Sequence, residues 1–135
     1  MLNIDLTKSS VSQNHLDPEI INGCIGGVGI GIKLLYEMVL PNIKWNDPQN
    51  HVIISNGPLS GTRVAGSGTF CVVTKGPMTN MAISTQANGF MGAFLKLSGF
   101  DGIIISGCAS KWCYLFVHDD KAELRDADLV GKDTW

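Results

Sequence analysis

Two short apolar runs, His51–Ser55 and Phe70–Thr74, are separated by Gly57-Pro58-Leu59-Ser60-Gly61-Thr62 and Gly66-Ser67-Gly68-Thr69. The second run leads straight into Lys75-Gly76-Pro77-Met78-Thr79. Glycine lets the backbone come close to a neighbour and take positive φ, and proline fixes the turn around it. The segment is therefore a turn-rich loop between two strands. Whatever this chain folds into must bring a glycine-lined backbone surface to one end of those strands.

The remaining elements follow from periodicity and caps. Leu2, Ile4 and Leu6 alternate with polar residues as in a half-buried strand, Lys8-Ser9-Ser10 turns, and Val11–Leu16 can return as a second hairpin arm. Asp17-Pro18-Glu19 is a helix start, with an N-cap aspartate, proline at the first position and an acid in the first turn. Gly26-Gly27 interrupts, Ile30, Leu34, Leu35 and Met38 recur at helical spacing, and Pro41 ends that helix. Strands are predicted near 51–55, 69–75 and 81–86. A short helix carries Phe90, Phe94 and Leu97, with Gly99 just past its end. Three more strands are expected at 102–106, 112–118 and 122–126, the last two joined at Asp119-Asp120-Lys121. Mostly consecutive strands with two or three short helices give an α+β class with mixed or antiparallel sheets, in one domain spanning 1–135.

A chain of 135 residues with 44% apolar and 16% charged residues can bury roughly 65–70% of its unfolded surface. Ten basic and twelve acidic residues are intermixed, for a net charge of -2. With no basic stripe or interleaved aromatics, nucleic acid is not an expected partner. Residues 1–16 lack the basic start and apolar stretch of a signal peptide, and runs such as Ile103–Ile105 fall far short of a membrane span. No membrane association and a cytoplasmic location are the expectation. Cys24, Cys71, Cys108 and Cys113 lack the two-residue gap of zinc or redox motifs and read as packing residues.

Chemistry-bearing motifs are sparse. Gly27-Val28-Gly29-Ile30-Gly31 looks like a dinucleotide loop, but a helix precedes it and its third glycine comes one residue early. A glycine-broken helix junction packed on the sheet accounts for it better, although free amides at a helix N-terminus could hold an anion. His15, His51 and His118 are scattered, and so are Glu123, Asp126 and Asp128. No catalytic and no metal-binding residue is assigned. Lys75 and Lys96 lie beside the glycine loops, where a solvated ammonium or a phosphate contact are the competing roles.

The order of these loops, continued through Gly89-Phe90-Met91-Gly92-Ala93-Phe94-Leu95-Lys96 and Gly99–Gly107, resembles the N-terminal domain of the tungsten-dependent aldehyde ferredoxin oxidoreductases. The match runs from Leu2–Leu6, through Gly26–Gly31 with Lys33-Leu34-Leu35-Tyr36, to Leu124–Ala127 and Gly131–Trp135. Its most specific pieces are Gly57–Thr62, Val73-Thr74-Lys75 with Pro77, and Gly99–Gly107. The resemblance implies one of two intertwined α+β halves that form a base for a tungsten bis-pterin (molybdopterin) cofactor. Later domains of the family add iron–sulfur cysteines and an aldehyde pocket, and electrons pass to ferredoxin as aldehyde becomes carboxylic acid.

The same resemblance points to Thr69, Lys75, Gln86, Asn88 and Gly89 as candidate cofactor-binding positions. It also exposes departures. The family's first glycine loop carries an arginine where Val28 stands, its pterin-contacting arginine matches Thr69, and its Asn-Ser-Gly-Gly segment matches Gln86-Ala87-Asn88-Gly89. Each lost guanidinium removes a charge-assisted contact. This chain holds no iron–sulfur ligands by that pattern and is expected to be inactive alone. Three roles follow: a fragment or small subunit completed by a second chain, a stand-alone homodimeric relic, or a small module binding another phosphate-bearing ligand.

Overall fold

The computed structural model describes residues 1–128 and 130–133, so Thr134 and Trp135 of the resembling tail lie outside the described residues. The elements are β1 (Leu2–Asp5), β2 (Ser10–Gln13), α1 (Pro18–Cys24), α2 (Gly27–Met38), β3 (His51–Asn56), β4 (Thr69–Lys75), β5 (Ala82–Asn88), α3 (Phe90–Leu97), β6 (Gly102–Ser106), β7 (Cys113–His118) and β8 (Lys121–Asp126). Six strands form one sheet in the order β2-β1-β6-β3-β4-β5, and β7 and β8 form a separate hairpin. Among the described residues only β1 and β6 run parallel; the other neighbours are antiparallel. The chain is α+β, as its strand-dominated pattern predicts.

Side-chain alternation gives the sheet two apolar faces. Ile53, Cys71, Val73 and Ile104 project to one side, where Ile30, Leu34 and Leu35 of α2 cover them. Leu2, Ile4 and Ile103 project to the other, against Leu95 of α3, Phe100 and the hairpin residues Leu115, Val117 and Leu124. Gly31 permits the close fit of α2, because a Cβ there would lie 2.6 Å from Val73 Cγ2. The expected helix junction is thus a packing device, with Gly27 opening α2 after α1 has ended.

Local chemistry explains the helix ends. The Asp17 carboxylate accepts from the Glu19 N–H at 2.8 Å, and Pro18 begins α1. Helix α2 stops at Met38 with Val39 already extended, so that Leu40, which the following proline keeps out of the helical region, lies outside the helix. Between α1 and α2, Ile25 has φ 63 and ψ -55, and the Gly26 N–H bonds back to Cys24 O at 2.6 Å. That is a γ-turn of the rare, strained hand, held by a β-branched residue. Ile25 is 69% exposed, so little packing is lost when it is removed. Ile25→Gly is expected to stabilise the chain by about 0.5–1 kcal/mol, less the greater chain entropy of glycine. Urea unfolding of the two proteins measures the difference, and equal midpoints would remove the strain from the account.

Candidate functional site

Strand β3 ends at Asn56 and the chain enters Gly57-Pro58, where two helix N-termini meet it. A Cβ on Gly26, the N-cap of α2, would stand 3.0 Å from Asn56 O and 3.0 Å from the Pro58 ring. The Asn56 side chain donates to Gly92 O at 3.0 Å, in the first turn of α3. Both helices begin with a glycine cap and make no side-chain cap bond. Their first N–H groups are therefore available to an acceptor, and the dipole of each helix favours negative charge there. Buried Ser55 ties the arrangement down, donating to Gly27 O at 2.6 Å and lying 3.2 Å from Cys71 Sγ.

The register of β4 on β5 adds the side chains. Thr69 pairs with Asn88 and Cys71 with Gln86. Alternation therefore sets Thr69, Gln86 and Asn88 on the α2 side of the sheet. Gln86, Asn88 and Gly89 are exposed and Thr69 is half-buried, with its hydroxyl donated to Gly66 O at 3.1 Å. A Cβ on Gly68 would lie 2.5 Å from Gly89 O and 2.9 Å from Asn88 Oδ1, so the glycine loop seats directly on the end of β5. The loop holds its own shape through Ser67 Oγ to Thr62 O at 2.9 Å and Val64 N to Thr62 Oγ1 at 3.3 Å. Hollows of about 450 Å³ and 240 Å³ flank Gly57-Pro58, the first reaching Lys96 and Asp101 and the second lined by Ser60, Val64 and Thr69.

Four of the five sequence-derived positions thus converge. Lys75 does not. It stands at the far end of β4 from Thr69, about 20 Å along a strand. Its ammonium is buried, donating to Pro41 O at 2.8 Å and Ile43 O at 2.6 Å. The expected phosphate contact gives way to a structural one, because two carbonyls of the loop after α2 point at that nitrogen. Lys96 is paired with the Asp101 carboxylate. The converging groups are thus neutral amide and backbone donors, with the Thr69 oxygen as an acceptor. His51, half-buried, has its imidazole pKa held below 6.5 by desolvation, only partly offset by its contact to Gln49 O.

Asn56 and Ser55, which organise the site, gave no signal in the sequence. Asn followed by glycine reads as an ordinary turn pair, and only the tertiary contact to α3 shows its second use. Among the described residues, no cluster of His, Cys, Asp or Glu could hold a metal ion, and the four cysteines are free thiols. No helix of the described residues is long and apolar enough to cross a membrane.

The polar floor fits a phosphate-bearing group in the chemistry of its donors, since the exposed amides of Gln86 and Asn88 and two uncapped helix starts all offer N–H. It supplies hydrogen bonds without charge.

Known proteins resemble this chain over nearly its whole length. The tungsten-containing aldehyde ferredoxin oxidoreductase of Pyrococcus abyssi is 35% identical over 130 residues, which is 96% of this chain and 21% of that protein. The WOR-like subunit of an aliphatic sulfonate oxidoreductase from Pyrococcus furiosus is 36% identical over 94% of this chain and 20% of that one. Among solved structures, the active-site complex of benzoyl coenzyme A reductase superposes with a TM-score of 0.90 at 34% identity, covering 93% of this chain and 19% of its own. The chain spans about a fifth of the length of these relatives. The profile of the aldehyde ferredoxin oxidoreductase N-terminal domain matches residues 1–135, and the chain belongs to that family.

Proposed function

We propose that this chain forms part of the base for a tungsten (or molybdenum) bis-pterin cofactor, as the N-terminal fragment or small subunit of an enzyme oxidising aldehydes to carboxylic acids. The single observation that carries the reading is the donor-lined floor where the starts of α2 and α3 meet Thr69, Gln86 and Asn88. Relatives that share this portion are named for an aldehyde, a sulfonate and a coenzyme A thioester. A part kept across such different substrates serves what those enzymes have in common rather than their substrate pockets. When bound, the cofactor supplies the redox centre. The residues of this chain bind and orient it: the helix N-termini face acceptor oxygens, Gln86 and Asn88 offer amide donors to its polar edge, and Thr69 Oγ1, its hydrogen already given to Gly66 O, accepts from a donor of the group. A second chain supplies cluster ligands and the substrate pocket, with ferredoxin as electron acceptor.

Affinity purification of the tagged chain from its native host, with tungsten, molybdenum, iron and pterin analysis, tests the reading. A second polypeptide carrying metal and pterin is expected. A lone chain without metal or pterin in every fraction overturns it. Thr69→Arg should raise pterin retention and Asn88→Asp lower it, each roughly tenfold, since a charge-assisted contact to phosphate contributes about 1.5–3 kcal/mol and a carboxylate repels the same group.

A further inference from the structure

The loop between β3 and β4 encloses a polar group that nothing in the chain uses. Four successive turns hold this loop in one shape: Ser60 N to Gly57 O, Thr62 N to Leu59 O, Ser67 N to Val64 O and Thr69 N to Gly66 O, at 3.1–3.4 Å. The hollow of about 240 Å³ inside it is lined only by residues from 57 to 69, among them Ser60, Ala65 and Gly66. Ser60 is 4% exposed, and its hydroxyl has no hydrogen-bond partner among the described residues. The described side-chain atoms shut off from solvent without a partner are Asn56 Oδ1 and Asn80 Oδ1. Ser60 Oγ is not one of them, so it reaches an opening, and the hollow is the opening that Ser60 lines. Enclosing a hydroxyl unpaired costs stability. With the chain's own loop packed around it, only a group small enough to enter the hollow can serve it.

The polar balance inside the loop decides what that group is. The carbonyls of Gly57, Leu59, Val64 and Gly66 already accept from the turns, and Thr69 has given its hydroxyl hydrogen to Gly66 O. The N–H groups of Ala65 and Gly66, by contrast, donate to none of the described residues. Donors are in surplus, so the ligand that fits is an acceptor. The electrostatics agree. From Pro48 to Phe100 the chain carries Arg63, Lys75 and Lys96 and no aspartate or glutamate. Lys75 is held by carbonyls and Lys96 by Asp101, whereas the exposed Arg63 stands in this same loop, one residue before the lining. The volume of about 240 Å³ equals roughly eight waters at about 30 Å³ each. That is below the ~300 Å³ at which pockets begin to enclose whole organic ligands, and it suits a single oxyanion with its water.

We propose that the loop 57–69 is an oxyanion site, taking a phosphate on Ser60 Oγ and the Ala65 and Gly66 N–H groups, with Arg63 supplying the positive charge beside it. A free phosphate ion and a phosphate carried by a larger molecule present the same oxygens. The inference stands apart from the cofactor reading and is measured without pterin or metal.

Nuclear magnetic resonance of the full chain, titrated with inorganic phosphate against chloride at constant ionic strength, tests it. Saturable shifts are expected at the Ser60, Ala65 and Gly66 amides, with Gly27 and Phe90 at the two helix starts unmoved. Ser60→Ala should weaken binding about threefold to tenfold and Arg63→Gln about tenfold or more, since the first removes a neutral donor and the second a charged one. Arg63→Lys should recover part of the loss. Ser60→Ala removes a hydroxyl that bonds nothing, so without phosphate its Tm should match or exceed that of the native chain. Added phosphate should raise the native Tm more than the variant's. Phenyl phosphate then distinguishes the sources: tighter binding than the inorganic ion marks a phosphate on a larger molecule, weaker binding the free ion. The absence of any saturable shift, or shifts at Gly27 and Phe90 alone, overturns the inference. So does an affinity that both variants leave untouched, or a Ser60→Ala chain that melts well below the native one in the absence of phosphate.

Discussion

Gly102→Val is expected to leave the chain unfolded. Gly102 is buried at the start of β6, the strand joining the parallel pair β1–β6 to the antiparallel β3–β4–β5. A Cβ there would lie 2.3 Å from Ile54 O and 2.7 Å from Met1 Cε. The methionine can swing aside, but the carbonyl belongs to β3 and cannot. It sits in a register that matches Ile54 with Ile103 and Ser55 with Gly102. Overpacking against side chains costs about 1–3 kcal/mol because rotamers and elements shift. Here the two central strands must part, so the loss should exceed about 4 kcal/mol, most of the stability of a marginal domain. Gly31→Ala meets a side chain, Val73, and should cost less. Urea unfolding followed by circular dichroism ranks the two. A Gly102→Val protein with a near-native midpoint would refute the close approach of β3 and β6.

Lys75→Met should produce the next largest loss, about 3 kcal/mol or roughly 10 °C in Tm. The substitution keeps the aliphatic stem and removes only the ammonium. Pro41 O and Ile43 O then lose their donor at 2.8 and 2.6 Å in a part-buried place, and Ile43 O keeps the Asn80 amide at 3.2 Å. Bonds to a charged donor contribute about 1.5–3 kcal/mol each, and an unsatisfied buried carbonyl costs on the same order. Thermal unfolding of the variant decides between this structural role and the phosphate contact suggested by sequence. If Lys75→Met melts like the native chain but loses pterin, the buried geometry is the wrong description.

The elements were largely legible in the residues. Leu2–Leu6, the Asp17-Pro18-Glu19 start, the helical spacing of Ile30 to Met38 and the Asp119-Asp120 turn each rest on a local cause. Alternation, a cap, a stripe and a two-residue reversal act within a few residues, so the chain order suffices to read them. Each of these elements forms as that local chemistry directs. The glycine motif at 27–31 was also readable as a packed helix junction rather than a dinucleotide loop, because its spacing departs from the dinucleotide pattern.

The site was only half legible. Thr69, Gln86, Asn88 and Gly89 came from a family resemblance, and the β4–β5 register brings them together. Lys75 came with them because it follows a strand beside a glycine loop. A neighbour in sequence at the far end of an extended strand is nonetheless remote in space. Asn56 and Ser55 carry no local signal because their partners, Gly92 and Gly27, are 36 and 28 residues away.

What the amino-acid order determined alone is the set of segments, their α+β character and the kinship of their glycine loops, since propensity, capping and turn chemistry act between close neighbours. Only the tertiary structure decided which strands lie side by side, which lysine was sealed inside, and that two helix beginnings point at the same stretch of backbone. Those outcomes depend on strand order and register, which long-range burial selects and no short window of residues contains.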